Sequence, residues 1–159
     1  MNKQKLVDIF IEQLEHDLIA LKEAARATYE AATHEESKPE NEYDTRGLEA
    51  SYLAGAQAKR AGEIDEVLSL FRHLEFKSFG PQTPIAATAL VELTNSEKSS
   101  FVFLMPKGGG LSLSFEGRSV QVLTPHSNLG EALTGLRVGE VAEVEVGPHL
   151  REYLVKQVW

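Results

Sequence analysis

The sequence predicts an α+β protein in which an N-terminal antiparallel α-helical hairpin, paired as a coiled coil, precedes a small β-rich domain containing one short helix. Three observations predict it. Apolar and small residues recur in strict steps of four and three from Val7 to Ala32, the same spacing returns from Leu53 to Leu74, and beyond Phe79 the texture changes to short apolar alternations punctuated by glycine and proline.

The first helix carries its seam at Val7, Ile11, Leu14, Leu18, Leu21, Ala25, Thr28 and Ala32, with charged and amide residues between and no glycine or proline to interrupt it. A helix this long needs a partner to cover its stripe. The second run supplies Leu53, Ala56, Ile64, Val67, Phe71 and Leu74, with Arg60 as its polar exception. Folded back on the first, it pairs Ile11 with Leu74, Leu14 with Phe71, Leu18 with Val67, Leu21 with Ile64, Ala25 with Arg60 and Ala32 with Leu53. The residue numbers of every pair have the same sum, as antiparallel strands of a hairpin require. Gly55 and Gly62 lower helix propensity by about 1 kcal/mol each, which predicts that the two backbones approach closely there. The turn falls near Glu42 and Tyr43, Pro39 suits it, and Asp44 or Thr45 is the expected N-cap of the second helix.

A linker is expected over 78–84. Strands are expected over 86–93, 100–105, 111–115, 119–123, 141–146 and 153–158, with a short helix over 129–133. Gly108 to Gly110 and Glu116-Gly117 mark turns. The predicted division is therefore 1–78 for the hairpin, with an acidic tip near 34–51, and 79–159 for the β domain.

Composition removes several classes of function. The chain has 159 residues and no cysteine, which excludes disulfides, thiol nucleophiles and sulfur-ligated zinc. The five histidines are widely spaced, and neither a nucleophile elbow nor a phosphate loop occurs, so no catalytic machinery or cofactor site of the chain's own is expected. No segment approaches the roughly 20 apolar residues of a membrane span. The expectation is a soluble, cytoplasmic protein without a membrane partner. A formal net charge of -8 opposes independent binding to DNA, so any nucleic-acid role runs through a partner.

Seven carboxylates, Glu30, Glu35, Glu36, Glu40, Glu42, Asp44 and Glu49, face only Lys38 and Arg46 over residues 30–49, so the acidity concentrates around the predicted tip. Helix N-termini favour carboxylates on their own account.

Two passages carry a family resemblance. The run Ala132-Leu-Thr-Gly-Leu-Arg-Val-Gly-Glu140 resembles the segment of FKBP-like domains that leads from a short helix through Gly-Leu-Lys-Val-Gly-Glu into a strand, and Gly135 and Gly139 suit that tight passage. Val122-Leu-Thr-Pro125, followed by Leu129 and Gly130, resembles the strand, Ser-Pro, helix passage of bacterial Gre-type (GreA/GreB) transcription elongation factors. The order of parts resembles that family over essentially the whole chain, and Tyr52, Ala54, Glu63 and Ile64 fit the reading of its second helix.

The resemblance implies an FKBP-like second domain and a hairpin inserted through the secondary channel of RNA polymerase. There, two tip acids help hold a magnesium ion, supplied in trans and shared with the polymerase active site, which hydrolyses the 3′ end of backtracked RNA. Contact with nascent RNA is then indirect, and the chain is a protein cofactor of the polymerase, not an enzyme. Asp44 matches the family's aspartate, and Glu49 or Glu42 is its expected partner. The family's cleavage motif, Asp-Leu-Ser-Glu-Asn, spaces its acids three apart, whereas Asp44-Thr-Arg-Gly-Leu-Glu49 spaces them five apart, a rotation of about 140° on a helix. Arg46 adds a cation beside the expected metal ligands. A secondary-channel regulator that does not stimulate cleavage is therefore the alternative. A third reading, a prolyl isomerase or peptide-binding module, has Phe101, Phe103, Phe115, Tyr153 and Trp159 as its available aromatics.

Overall fold

A computed structural model describes residues 1–34, 46–96 and 98–159. The described residues form helices α1 (Lys3–Thr33), α2 (Arg46–His73) and α3 (Asn128–Leu133), and strands β1 (Leu90–Asn95), β2 (Lys98–Leu104), β3 (Ser112–Phe115), β4 (Arg118–Leu123), β5 (Val141–Val146) and β6 (His149–Val158). They divide into two compact units, one of Ile9–Arg72 and one of Met1–Asp8 with His73–Trp159. The predicted Asp44 or Thr45 N-cap and the turn near Glu42 and Tyr43 lie outside the described residues.

The helical unit is an antiparallel hairpin of α1 and α2. Phe10, Leu14 and Leu18 are buried on α1, with Leu21, Ala25, Thr28 and Ala32 partly buried along the same stripe. The Phe10 ring lies 5.5 Å from that of Phe71, and Arg72 donates to Oε1 of Glu15. On α2 the buried residues are Ala54, Ala61, Ile64, Leu68 and Phe71. Ile64 and Phe71 were expected there, but Leu53, Ala56, Arg60 and Val67 are displaced from the seam by one residue. The expected facing of Ala25 by Arg60 and of Ala32 by Leu53 fails with them.

Solvation of Arg60 explains the phase. Counting back from Ile64 by helical steps reaches either Arg60 or Ala61, and turning Arg60 inward buries a guanidinium without a partner, at a cost of several kcal/mol. Outward, Arg60 donates to Glu63 at 3.3 Å and Ala61 fills the seam at 5% exposure. The predicted close approach at Gly55 and Gly62 is also corrected: both are exposed, and a Cβ added to either meets no atom within 4 Å.

The sheet unit is a six-stranded sheet in the order β3-β4-β2-β1-β6-β5, antiparallel except where β2 runs parallel to β4. Period-two burial sets its faces. Val91 and Leu93 of β1, Val102 and Leu104 of β2, Ala142 of β5 and Val155 and Val158 of β6 pack with Ile85 and with Leu133 of α3. On the opposite face Phe103 is fully buried and Phe76 stacks on it, with ring centroids 6.1 Å apart.

β1 begins at Leu90, four residues later than expected, because Thr88 stands at φ 74 and turns the chain out of extended conformation. Its Oγ1 accepts from the backbone N–H of Lys77, which holds this strained β-branched residue in place. β6 begins earlier than expected, at His149, because the tight Gly147-Pro148 link pairs Val146 with His149. Its first residues are exposed, so burial imprints no alternation on them. β5 matches its expected bounds.

Ser127 is the N-cap of α3, and its hydroxyl donates to the Thr124 carbonyl and accepts from the Gly130 amide. A Cβ on Gly130 would stand 2.0 Å from the Thr124 carbonyl oxygen, so this position admits no side chain without moving backbone. Gly135 and Gly139 stand at φ 90 and 91, as the passage from helix to strand requires. Their amides donate to the carbonyls of Ile85 and Val155.

One contact had no signal in the sequence. The Lys3 ammonium donates to the carbonyls of Lys77, Thr88 and Trp159 and lies 4.9 Å from the centre of the Phe79 ring, so one cation ties four points of the unit together. Partial burial pushes Lys3 down to about 8. A charged residue at the start of a polar helix reads as solvated until the acceptors from distant segments are known.

Candidate functional site: carboxylates of the hairpin and a cleft in the sheet

α2 opens with Arg46, and Glu49 stands exposed in its first turn. There the free amides of the helix start favour a carboxylate, which gives Glu49 a local structural reason as well as a functional one. Asp44 and Glu42, the other expected site residues, lie outside the described residues, as do Glu35, Glu36, Glu40 and Lys38. Glu30 on α1 accepts from Nε of Arg26 at 2.8 Å, and this contact raises the guanidinium pKa. That carboxylate is therefore already paired, unlike a ligand waiting for a cation.

As a hard-oxygen donor, the Glu49 carboxylate fits magnesium in kind. Among the described residues no group of three histidine, aspartate or glutamate side chains could hold a metal.

Charge patterning overlooked a set of exposed apolar residues near the helix ends that flank the connecting segment. Tyr29 of α1 and Leu48, Tyr52 and Leu53 of α2 are 62%, 57%, 72% and 53% exposed. Leu48 and Tyr52 are four apart and share one face of α2. Leu53, expected in the seam opposite Ala32, stands instead among these exposed residues.

The sheet unit holds a separate cleft of about 730 Å³ at the start of β2 and β4. Of the five aromatics considered for a peptide pocket, Phe101 and Tyr153 line it. Phe103 and Phe115 are buried at 0% and 2% exposure, and Trp159 pairs through its backbone with Leu90. No helix among the described residues is long and apolar enough to cross a membrane.

No protein-family profile and no curated protein matches the chain. Among solved structures it is similar to the GreA factor homolog 1 (Gfh1) of Thermus thermophilus, at 22% identity over 96% of this chain and 94% of that one, with a TM-score of 0.38. It is similar to Gfh1 of Thermus aquaticus at 24% identity, over 95% of this chain and 92% of that one, with a TM-score of 0.39. It is also similar to the transcription elongation factor GreA/GreB from Nitrosomonas europaea at 18% identity, over 60% of this chain and 78% of that one, with a TM-score of 0.38.

Proposed function

We propose that the chain is a Gre-type factor that binds RNA polymerase, enters its secondary channel with the helical hairpin and acts there on the catalytic centre through the carboxylates of the connecting segment. The observation that carries this reading is the antiparallel pairing of two long helices whose connection concentrates the acids. α1 has 31 residues, about 46 Å at 1.5 Å per residue, and α2 has 28. Helices of that length exceed what covering a small sheet requires, and their single-striped seam suits a self-contained arm. The family resemblance, the acidic composition around 30–49 and the Gly135 to Gly139 passage support the same reading.

In this proposal Asp44, with Glu49 or Glu42, supplies oxygen ligands to the magnesium shared with the polymerase, and the polymerase performs the hydrolysis. Magnesium when bound supplies Lewis-acid stabilisation of the charge that develops during phosphodiester cleavage. The chain's own work is to present Glu49 from the first turn of α2 and to hold the hairpin through its seam. It is a cofactor of the polymerase, works in the cytoplasm, needs no resident cofactor and meets the nascent RNA 3′ end only indirectly.

A second reading shares the surface and differs in outcome. Asp44 and Glu49 stand five positions apart in sequence with Arg46 between them, an arrangement that favours occupying the channel over building a metal site. Adding the chain to a stalled, backtracked elongation complex separates the two. Shortened RNA, lost in Asp44→Asn and Glu49→Gln while binding persists, supports cleavage stimulation. Altered elongation without shortening supports the regulator. A chain that neither binds the polymerase nor changes transcription refutes both.

A further inference from the structure

β5 and β6 form a hairpin that runs past the end of β1. Pairing of β6 with β1 stops at Thr94 and Leu154, whereas its pairing with β5 continues to Val146 and His149. One face of the hairpin belongs to the core, through Ala142 and Val155. Strand alternation puts the other side chains on the opposite face in three cross-strand rows: Val141 with Leu154, Glu143 with Glu152, and Glu145 with Leu150. Thr94 continues the first row onto β1. All six hairpin residues of these rows are exposed. Val141, Leu150 and Leu154 are 46%, 55% and 40% exposed, and with Thr94 and Glu152 they line an open depression of about 730 Å³.

Two features of the rows have no reason within the chain. Like charges stand directly opposite each other at Glu143 and Glu152, an arrangement that destabilises a sheet. Acids on an edge strand discourage edge-to-edge pairing, which accounts for Glu143 and Glu145 on β5. It does not account for Glu152, since β6 lies between β1 and β5, nor for the three exposed aliphatic side chains. Among the described residues none of these three carboxylates forms an ion pair. An apolar patch crossed by unpaired acids complements a partner that is apolar and cationic, and it repels a second copy of itself.

The spacing selects the form of that partner. Successive rows lie two residues apart, so the second and third stand about 7 Å and about 14 Å from the first. On an α-helix, positions i+4 and i+8 lie about 6 Å and about 12 Å along the axis from i, on nearly one face. A helix laid along the strands therefore brings an apolar, a basic and a second apolar residue, each four apart, onto the three rows in order. We propose that this face docks an amphipathic helix of a partner protein with that pattern, its basic residue set between Glu143 and Glu152. The inference is independent of the polymerase reading, because it uses only residues of the sheet unit.

The test is a titration of the full chain, 15N-labelled, with an alanine-based helical peptide that carries leucine, arginine and leucine four apart. The expected result is saturable amide shifts confined to residues 94, 141–146 and 149–154. Exchanging the arginine for glutamate, or moving it two positions to the other side of the helix, weakens binding about tenfold or more, the loss of a charge-assisted pair. A central proline, which breaks the helix, does the same. In the chain, Glu143→Gln combined with Glu152→Gln weakens binding about tenfold while raising the denaturation midpoint, because the opposed charges are gone. Glu131→Gln, on α3 over the core face, leaves the affinity unchanged. Absence of saturable shifts, shifts centred elsewhere, or equal affinity for the charge-reversed, rotated or proline peptide would each overturn the proposal. Unchanged affinity in the folded double variant overturns it as well. So do concentration-dependent shifts of the same residues without peptide, which would assign the face to a second copy. If the double variant fails to fold, the peptide comparisons on the native chain decide.

Discussion

The helical unit and the sheet unit bury their residues under different rules. In the hairpin each helix hides one stripe, and a shift of one residue rotates that stripe by about 100°. In the sheet the side-chain period is two, and a slip of one residue moves a whole strand's apolar set to the wrong face. Helical phase is therefore negotiable where residues are small, whereas sheet register is not. The alanine-rich stretch around Ala54 to Ala61 shows the negotiable case, and the pairing of Val91 with Val102 shows the fixed one.

The sharpest way to break the comparison is to remove one large side chain from each unit. Phe103→Ala in the sheet and Phe71→Ala in the hairpin each delete a ring that is at most 1% exposed, and each is expected to cost about 3–5 kcal/mol in chemical denaturation. The partner rings, Phe76 and Phe10, are left over a cavity. If Phe71→Ala costs less than about 1 kcal/mol, the hairpin seam is not the structural element described here.

Glycine separates the units next. At Gly130→Ala the added methyl meets the Thr124 carbonyl at 2.0 Å, so backbone must move and a loss of about 3 kcal/mol is expected in the same denaturation measurement. In α2, Gly55→Ala and Gly62→Ala meet nothing within 4 Å, and each is expected to stabilise by about 1 kcal/mol. A loss at either would restore the close approach that the sequence suggests and the structure contradicts.

Much of this was legible in the sequence because the signals were strong and local. An uninterrupted heptad stripe marks α1, a similar spacing broken at Arg60 marks α2, the alternation of Val141 to Val146 marks β5, and Gly135 and Gly139 suit the positive φ they adopt. Two things were hidden for physical reasons. The phase of α2 depends on where Arg60 finds water, and spacing alone does not weigh a guanidinium against an alanine. The Lys3 contact depends on carbonyls contributed by Lys77, Thr88 and Trp159, and every residue has a carbonyl. Of the candidate site residues, Glu49 stands exposed in the first turn of α2, while Asp44 and Glu42 lie outside the described residues.

Lys3 gives the comparison a pH axis, since it belongs to the sheet unit and the α2 alanine variants do not. Burial lowers its pKa to about 8, against 10.5 for the free side chain. Below about pH 8 native and unfolded chains both carry the proton. Between about 8 and 10.5 the native chain releases it first, so the native state gains stability as pH rises through that window and loses it again as pH falls back through 8. Native protein should therefore gain stability relative to Lys3→Met between pH 7 and pH 10, measured as the difference in denaturation midpoints. The three carbonyls and the Phe79 ring favour the charged ammonium and limit the gain. A difference that moves the other way would mean that those acceptors outweigh desolvation.

The smallest expected effect is at the ion pair between Arg72 and Glu15, which joins the two helices while leaving both side chains nearly half exposed, at 48% and 43%. Water screens such a pair, and holding two long side chains in one geometry costs entropy, so Arg72→Ala should lower stability by less than about 1 kcal/mol. A double-mutant cycle with Glu15→Ala isolates the pairwise part, because Arg72→Ala alone also strips aliphatic stem from the helix surface. Raising salt to 1 M should reduce the coupling further. A coupling near that of the Phe71 truncation would reverse the ordering, making charge the force that fixes the pairing of α1 with α2 and the apolar stripe its accompaniment.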